Sequence, residues 1–481
     1  MSARRETAWR LARREPVFFV ILFGFGLLVY RSSLANAFIA DDYGWIEPMS
    51  FGRLLGYFAS SWGHGPYFRP IIRVLFFLDE VLFGDHPLGW RIVNVLIHAF
   101  NGWLIARIAA HFTGNRLAAR AAALLFIAYP AAVENVAWIS GATHSLCALF
   151  ILGSLCALYA SLGEMDVVRR LRLALVSGAG ALAAIWTYDV AVVLPAMQVI
   201  VLLLRRMERR GEPMHLLGWV VALGGWAAGN AWRVFMLPAE LDFVYPSPLV
   251  GLSKHFIAYW ELLLVTVQLR TLAAVVLGMA VMLVVSRAAS DTPRLVRRLV
   301  IVVSLAAVSF APFVMFNGES YRLYYLTLVF WMLALSLMLD YVGRVAGAQR
   351  LAFGAGCAGL LLVSVYETDK MCREWRVVSD TTRMMLEQVH AALPQWPDRT
   401  DLVFVAMGNH YRRAIAYDAG YLAVMVLRTF PAAGGQIFMA DNLDALPPES
   451  DGRHRIVFEW LGFATGRGEP AGVRVAMVPN R

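Results

Sequence analysis

Long apolar runs constrain this chain more than any other feature. A helix needs roughly 17–25 mostly apolar residues to cross a bilayer. Eleven runs stand close to that length, at about 17–38, 88–108, 117–133, 136–160, 171–188, 190–204, 214–236, 270–286, 299–316, 322–343 and 350–367. Hydrocarbon offers the backbone no hydrogen-bond partner, so each run is expected to pair its own backbone as a helix. The composition agrees, with 59% hydrophobic and only 16% charged residues, where a soluble domain carries about 25% charged. Disorder, a fibre and an ordinary soluble enzyme are excluded as accounts of the whole chain. Cys147, Cys156 and Cys357 lie in apolar runs and Cys372 just beyond one, with no C-x-x-C pair. Neither a disulfide nor a zinc site is expected.

The net charge is +9. Basic residues are not interleaved with aromatics in the way single-stranded nucleic acid requires, so no nucleic-acid partner is expected. Arginines collect instead in short loops, as they do on the cytoplasmic side of membrane proteins. With a cytoplasmic N-terminus, Arg116 and Arg120, Arg169 to Arg172, Arg205 to Arg210, Arg294 to Arg298, and Arg344 to Arg350 all fall inside. The odd number of spans then places the C-terminus outside. The first run follows a basic stretch but has no A-x-A cleavage site before Asp41, so it is expected to be a retained helix. Lys254 to Gln268 is assigned to an outer-surface or re-entrant helix, because a span there would throw Arg294 to Arg298 outside.

Two parts follow: a transmembrane domain, 1–367, and a small extramembrane α/β domain, 368–481. The first outer loop, 39–87, is too long for a mere connector. Its stretches Phe51–Ser60 and Arg69–Phe83 are expected to form amphipathic helices. Further outer loops surround Glu134 and span Pro238–Pro248. The tail reads helix (373–393), strand (402–407), helix (411–428) and strands (436–440, 454–459, 473–478), and shows no 34-residue repeat.

Candidate chemistry gathers on the outer side. Asp41 and Asp42 are adjacent carboxylates, which repel, so one is suited to act as a base. The pair is equally suited to hold a divalent cation such as Mg or Mn. Arg91, Asn94, His98 and Asn101 are spaced three, four and three apart and share a helical face. Polar groups at that depth line a wet cavity or bond to neighbouring helices. Glu134 lies at the outer end of the third run and needs a partner, an arginine or a substrate hydroxyl. Ser140 and His144, four apart, share a face. Tyr67 and Arg69 open an outer helix, and Glu319, Tyr321 and Arg322 stand at the outer end of the tenth run. An arginine there can clamp a phosphate in two-pronged fashion, or merely snorkel beside an aromatic belt. Asp189 is a further outer carboxylate.

Several of these residues carry a resemblance. Phe38-Ile39-Ala40-Asp41-Asp42-Tyr43 resembles the acidic motif of a first outer loop. Tyr67-Phe68-Arg69-Pro70 with Leu82-Phe83-Gly84 resembles a "YRP … LFG" stretch, and Arg91 to His98 an "H-x-x-N-x-x-L-H" helix. Pro130 with Val133 to Gly141 resembles "HP-x-x-x-E-x-V-A-W-I-S-G", and Asn317-Gly318-Glu319 with Tyr321-Arg322-Leu323-Tyr324 a looser "ER-x-L-Y" element. In order, these resemble the membrane portion of the tetratricopeptide-bearing protein O-mannosyltransferases and their bacterial relatives, within the GT-C-fold glycosyltransferases. Coverage is good from residue 38 to about 145. The chain departs from the pattern at Tyr129, Arg91, Ala142-Thr143-His144 and Ser320, positions that bear on sugar and acceptor.

The resemblance implies a polytopic GT-C-like helical protein and inverting transfer of a sugar from a polyprenyl-phosphate donor to a hydroxyl of protein, lipid or glycan. It implies that one carboxylate of Asp41–Asp42 is the base, that Glu134 is a second acidic group near acceptor or metal, and that Arg69 and Arg322 lie near the lipid phosphate. Tyr67, Arg91, Asn94, His98, His144, Glu319 and Tyr321 complete the expected substrate-binding set. Arginine-rich composition points to a bacterial inner membrane with a periplasmic site. Two rival readings stand beside this one. A secondary transporter would show internal repeats and ionisable groups at the midplane. A non-catalytic membrane scaffold would tolerate neutralisation of Asp41 and Asp42.

Overall fold

The ends of the helices follow local chemistry. In this computed structural model the described residues are 2–39, 42–45, 49–60, 67–208, 214–236, 278, 292–315, 320–345 and 350–392, with short strands between 400 and 478. The N-terminal part comprises α1 (Ser2–Val29), α2 (Arg31–Leu34), α3 (Asp42–Trp45), α4 (Phe51–Gly56), α5 (Pro70–Phe83) and α6 (Pro87–Thr113). Proline opens both α5 and α6, where a missing N–H costs nothing. Gly114 closes α6 at φ +70°, a left-handed conformation that a Cβ would penalise. Asn115 then caps α7 (Arg116–Ala128) by accepting from the N–H groups of Leu117 and Ala118.

The break that follows shapes the molecule. Pro130 cannot donate and holds Tyr129 extended, so α7 stops at Ala128. The chain continues as a 3₁₀ turn, α8 (Val133–Ala137), a second 3₁₀ turn (Ile139–Gly141) and α9 (Ala142–Ser161), with a bend of 54° between α7 and the segment after it. The runs expected at 117–133 and 136–160 therefore meet in a broken segment. Gly141 sits where a Cβ would fall 2.4 Å from the Glu134 carbonyl, so the close folding of this segment requires glycine.

The bundle is completed by α10 (Val167–Thr187), α11 (Leu194–Glu208), α12 (Leu217–Met236), α13 (Thr292–Phe310), α14 (Tyr325–Val345) and α15 (Arg350–Ala392). The helices α9, α10 and α12 pack side by side. Ser154 and Ser177 exchange hydrogen bonds with each other's carbonyls at 2.8 and 2.9 Å, and Gly178 and Gly225 bring α10 and α12 into backbone contact. The principal apolar core is shared by α1, α6, α7, α9, α11, α13 and α14.

Ten of the eleven expected runs coincide with helices; that at 270–286 lies outside the described residues, except for residue 278, as do Lys254 to Gln268 and Pro238 to Pro248. Among the described residues, five helices are long and apolar enough to cross a membrane, or six if the broken pair counts as one span. Five of the eleven expected runs, or six with the broken pair, pass this measure. Arginines dilute the start of α10, glycines and tryptophans dilute α12, and the apolar part of α1, Pro16–Val29, is short. The chain is an integral membrane protein.

Alternation of direction brings the starts of α6, α9, α11 and α14 together with the ends of α1, α7, α10 and α12. The opposite end carries Arg116, Arg205 and Arg344. There Arg298 donates to the Phe112 carbonyl, and Asn115 to Asp340 at 3.0 Å.

α15 runs unbroken through 43 residues, and the boundary at 367/368 falls inside it. Beyond it, strands β1 (Thr400–Val405), β2 (His410–Tyr411), β3 (Ala414–Ile415), β4 (Ile437–Ala440), β5 (His454–Trp460) and β6 (Val473–Val478) occur. Four form a mixed sheet of order β4-β1-β5-β6, with β1 parallel to both neighbours and β6 antiparallel to β5. The helix expected from residue 411 is corrected at its start, where β2 and β3 pair antiparallel.

Candidate functional site at the acidic end of the bundle

The broken segment between α7 and α9 exposes backbone carbonyls that no helix ladder satisfies, and in a bilayer these must find donors. The polar face of α6 supplies them. Arg91 donates through Nε to the Ala137 carbonyl at 3.1 Å, and through its two terminal nitrogens to the carbonyls of Asn36 and Ala37. Asn94 donates to the Trp138 carbonyl at 3.0 Å. His98 meets the Ile127 carbonyl through Nε2 at 3.3 Å and the Tyr325 hydroxyl through Nδ1 at 2.6 Å. A carbonyl only accepts, so Nε2 carries the proton and Nδ1 accepts from Tyr325. Asn101 donates to the Ser145 carbonyl at 2.8 Å. From α15, Thr368 donates to the Ala128 carbonyl at 2.6 Å.

This framework positions the acidic turn. Asp42 is fully buried. Its Oδ1 accepts from the Ser140 N–H at 2.9 Å and the Ser140 hydroxyl at 2.6 Å, and its Oδ2 from the Ile39 N–H at 3.0 Å. Trp138 Nε1 donates to the Ile39 carbonyl at 3.2 Å. Burial pushes the Asp42 carboxyl up to about 6, against the opposing pull of the Ser140 hydroxyl, Arg91 and the two backbone donors. Asp41 lies outside the described residues, as does Glu319. Three donors already fill most of the lone-pair directions of Asp42. It therefore fits a divalent cation poorly, and among the described residues no group of three His, Cys, Asp or Glu side chains gathers to hold one.

A second cluster surrounds Asp189. Arg69 donates to Oδ2 through Nε at 3.2 Å and Nη2 at 2.6 Å, and Arg233 reaches Oδ1 through Nε at 2.9 Å and through Nη2. Burial alone would lower the Arg69 pKa; Asp189 offsets this and leaves it above the usual arginine value. The Arg69 guanidinium lies over the rings of Tyr67 at 4.3 Å and Tyr188 at 4.5 Å, and Tyr188 meets His144 at 4.2 Å between centroids. Two cations on one carboxylate leave a net positive charge, suited to an anion.

Glu134 anchors the third cluster. It accepts from the Ser320 hydroxyl and from the Arg322 N–H at 3.1 Å, with Arg322 Nε at 3.8 Å. The Arg322 guanidinium lies 4.7 Å from the centroid of Trp138, and the Trp375 ring of α15 stacks on Trp138 at 5.6 Å. Tyr321 is partly buried beside these residues.

Asp42, Arg69, Tyr67, Glu134, His144, Tyr321 and Arg322 thus gather at one end of the bundle. Arg91, Asn94 and His98, expected to bind substrate, donate here to backbone carbonyls, and His98 also accepts from the Tyr325 hydroxyl. Arg233, Tyr325, Thr368 and Trp375 escaped the sequence reading. Arg233 alone carried a signal, an arginine in the last turn of an outward-running apolar helix.

Comparison with solved structures aligns 94% of the chain with 94% of ArnT from Cupriavidus metallidurans in the apo state, at a TM-score of 0.51 and 13% identity. The fold is that of the GT-C glycosyltransferases. By sequence, the chain is 34% identical over 96 residues to protein O-mannosyl-transferase Tmtc1 of Drosophila melanogaster, covering 20% of this chain and 11% of that one. It is also 34% identical over 108 residues to protein O-mannosyl-transferase TMTC4 of Homo sapiens, covering 20% and 14%. The matched part spans little more than a tenth of the length of these relatives. No family model matches the chain.

Proposed function

We propose that the chain is an inverting glycosyltransferase that moves a sugar, of hexosyl or mannosyl type, from a polyprenyl-phosphate donor to a hydroxyl of a protein, lipid or glycan. The site faces the outer side of the membrane, the periplasm of a bacterial inner membrane, with the arginine-rich helix ends in the cytoplasm and the C-terminal strands in a small α/β domain outside. The observation that carries this reading is the fixing of Asp42 against Ser140 of the broken α7–α9 segment, at the end of a GT-C bundle where Arg69, Arg233 and Arg322 also gather.

In this mechanism the two aspartates divide the work. Asp42 has both oxygens bound to donors and holds the turn, which leaves Asp41 as the base. Asp41 takes the acceptor's proton as its oxygen attacks the anomeric carbon. The bond from that carbon to the phosphate oxygen breaks on the opposite face, inverting the centre. Polyprenyl phosphate leaves already ionised and needs no general acid. The Arg69–Asp189–Arg233 cluster and Arg322 stabilise the departing phosphate. Glu134 holds Arg322 and the 320–322 segment in place.

The test is sugar transfer by purified protein in nanodiscs, with radiolabelled polyprenyl-phosphate sugars and a membrane extract as acceptor source. Asp41→Asn is expected to abolish turnover in folded protein. A fully active Asp41→Asn variant would overturn the mechanism. Absence of turnover with every donor would favour the scaffold reading.

A further inference from the structure

The opposite, arginine-rich end of the bundle holds a cavity that the proposed reaction does not use. It has a volume of about 480 Å³, inside the roughly 300–1,000 Å³ range of small-molecule sites. Its walls are apolar, from Ile108, Phe112, Leu152, Cys156, Leu204 and Phe330. Tyr159 at its rim lies about 26 Å along α9 from the Ala142 end, at 1.5 Å per residue, so the cavity is separate from the acidic turn.

The rim is polar and mostly cationic. His111 Nε2 meets the Tyr159 hydroxyl at 2.8 Å, and that hydroxyl donates to Glu208. Arg205 is buried, donates to the same hydroxyl at 3.4 Å and lies over the Tyr159 ring. Glu208, the one acid of the cluster among the described residues, is therefore held by Tyr159 and His111. The Arg107 guanidinium lies over Trp103 and is exposed at the mouth, and the His111 side chain is half exposed. An apolar slot with a basic mouth between membrane helices has the chemistry of a lipid tail beneath an anionic headgroup.

We propose that this cavity binds one acyl chain of an anionic phospholipid, with the lipid phosphate at Arg107 and His111. Charge complementarity selects this occupant: a neutral or zwitterionic lipid would fill the slot without using the rim. A polyprenyl phosphate shares the phosphate chemistry but is assigned to the far end of the bundle, beside the acidic turn. The cavity and its basic rim carry the inference, and only the choice of a phospholipid over a polyprenyl phosphate rests on the glycosyltransferase reading.

Native mass spectrometry of the full-length protein released from detergent tests it, with phosphatidylglycerol, phosphatidylcholine, undecaprenyl phosphate and glycerol 3-phosphate added separately. One phosphatidylglycerol per protein should be retained in preference to phosphatidylcholine, and glycerol 3-phosphate should not bind. Arg107→Gln should weaken retention roughly fivefold, the attraction of one basic residue for an anionic membrane surface. Gly153 lines the cavity, and a Cβ there meets nothing within 4 Å. Gly153→Leu should therefore fill the slot and expel the lipid from folded protein. Equal retention of the two phospholipids, with no effect of Arg107→Gln, would mean annular lipid only and would overturn the proposal. Retention of undecaprenyl phosphate that Gly153→Leu abolishes would overturn the choice of occupant. The exposed rim variant keeps the test decisive should the Gly153 variant fail to fold.

Discussion

Replacing Glu134 separates a structural latch from a catalytic acid. Its carboxylate is almost fully buried and accepts from the Ser320 hydroxyl and the Arg322 N–H, with the Arg322 guanidinium alongside. Glu134→Gln keeps the size and most of the bonding. The amide oxygen can accept from Arg322 N–H while its NH₂ donates to a rotated Ser320 hydroxyl. Only the charge-assisted part is lost, about 1 kcal/mol. Glu134→Ala strands both donors and removes the carboxylate beside Arg322. Breaking a fully buried pair costs about 3–5 kcal/mol. Because the Arg322 side chain is 29% exposed, solvent screening reduces this to about 2–3 kcal/mol. Thermal unfolding in nanodiscs, run beside the transfer assay, should rank wild type above Glu134→Gln above Glu134→Ala, with the Gln variant keeping most of its turnover. A Gln variant as stable as wild type but without turnover would refute the latch and make Glu134 a catalytic group.

Three further outcomes follow from the geometry. Burial raises Asp42 to about 6 and Asp79 to about 7, from 3.8 for an unperturbed aspartate. The folded state thus binds more protons between these values, and stability is lost as pH rises through them. Together the two groups should make the fold more stable at pH 5 than at pH 8 by on the order of 2–4 kcal/mol; a melting temperature that rises with pH, or Asp79→Asn leaving the slope unchanged, would contradict this. Asp189→Asn leaves Arg69 and Arg233 sharing one neutral acceptor and should destabilise by about 2–3 kcal/mol, below the fully buried case because Asp189 is one-third exposed. Adding Arg233→Gln should restore part of that loss in the same unfolding assay. Arg91→Lys cannot reach three carbonyls from one ammonium; each buried carbonyl left without a donor costs about 1–3 kcal/mol, and hydrogen exchange at residues 36–42 should rise.

Some of the site was legible because its signals are local. The spacing of Arg91, Asn94, His98 and Asn101 placed them on one face of α6, and they do share it. Glu134 was expected to need an arginine or a substrate hydroxyl, and it meets Arg322, with the hydroxyl of Ser320 beside it. What each polar group bonds to was not legible. The sequence reading left the α6 stripe between a wet cavity and bonds to neighbouring helices, because nothing local revealed that the neighbouring segment would break at Pro130 and need donors. Arg69 looked ready for a phosphate, but its partner Asp189 stands 120 residues away.

Sequence by itself determined that the chain enters a membrane, where most of its apolar helices lie, and which end of the bundle collects acids. Hydropathy, caps and prolines act over a few residues, so they can be read along the chain. Only the tertiary structure decided that Asp42 holds a turn, that α6 supports a broken helix, and that Arg69 and Arg233 share Asp189. A buried polar group takes whichever partner packing brings within about 3 Å, and that choice rests on contacts between residues far apart in sequence.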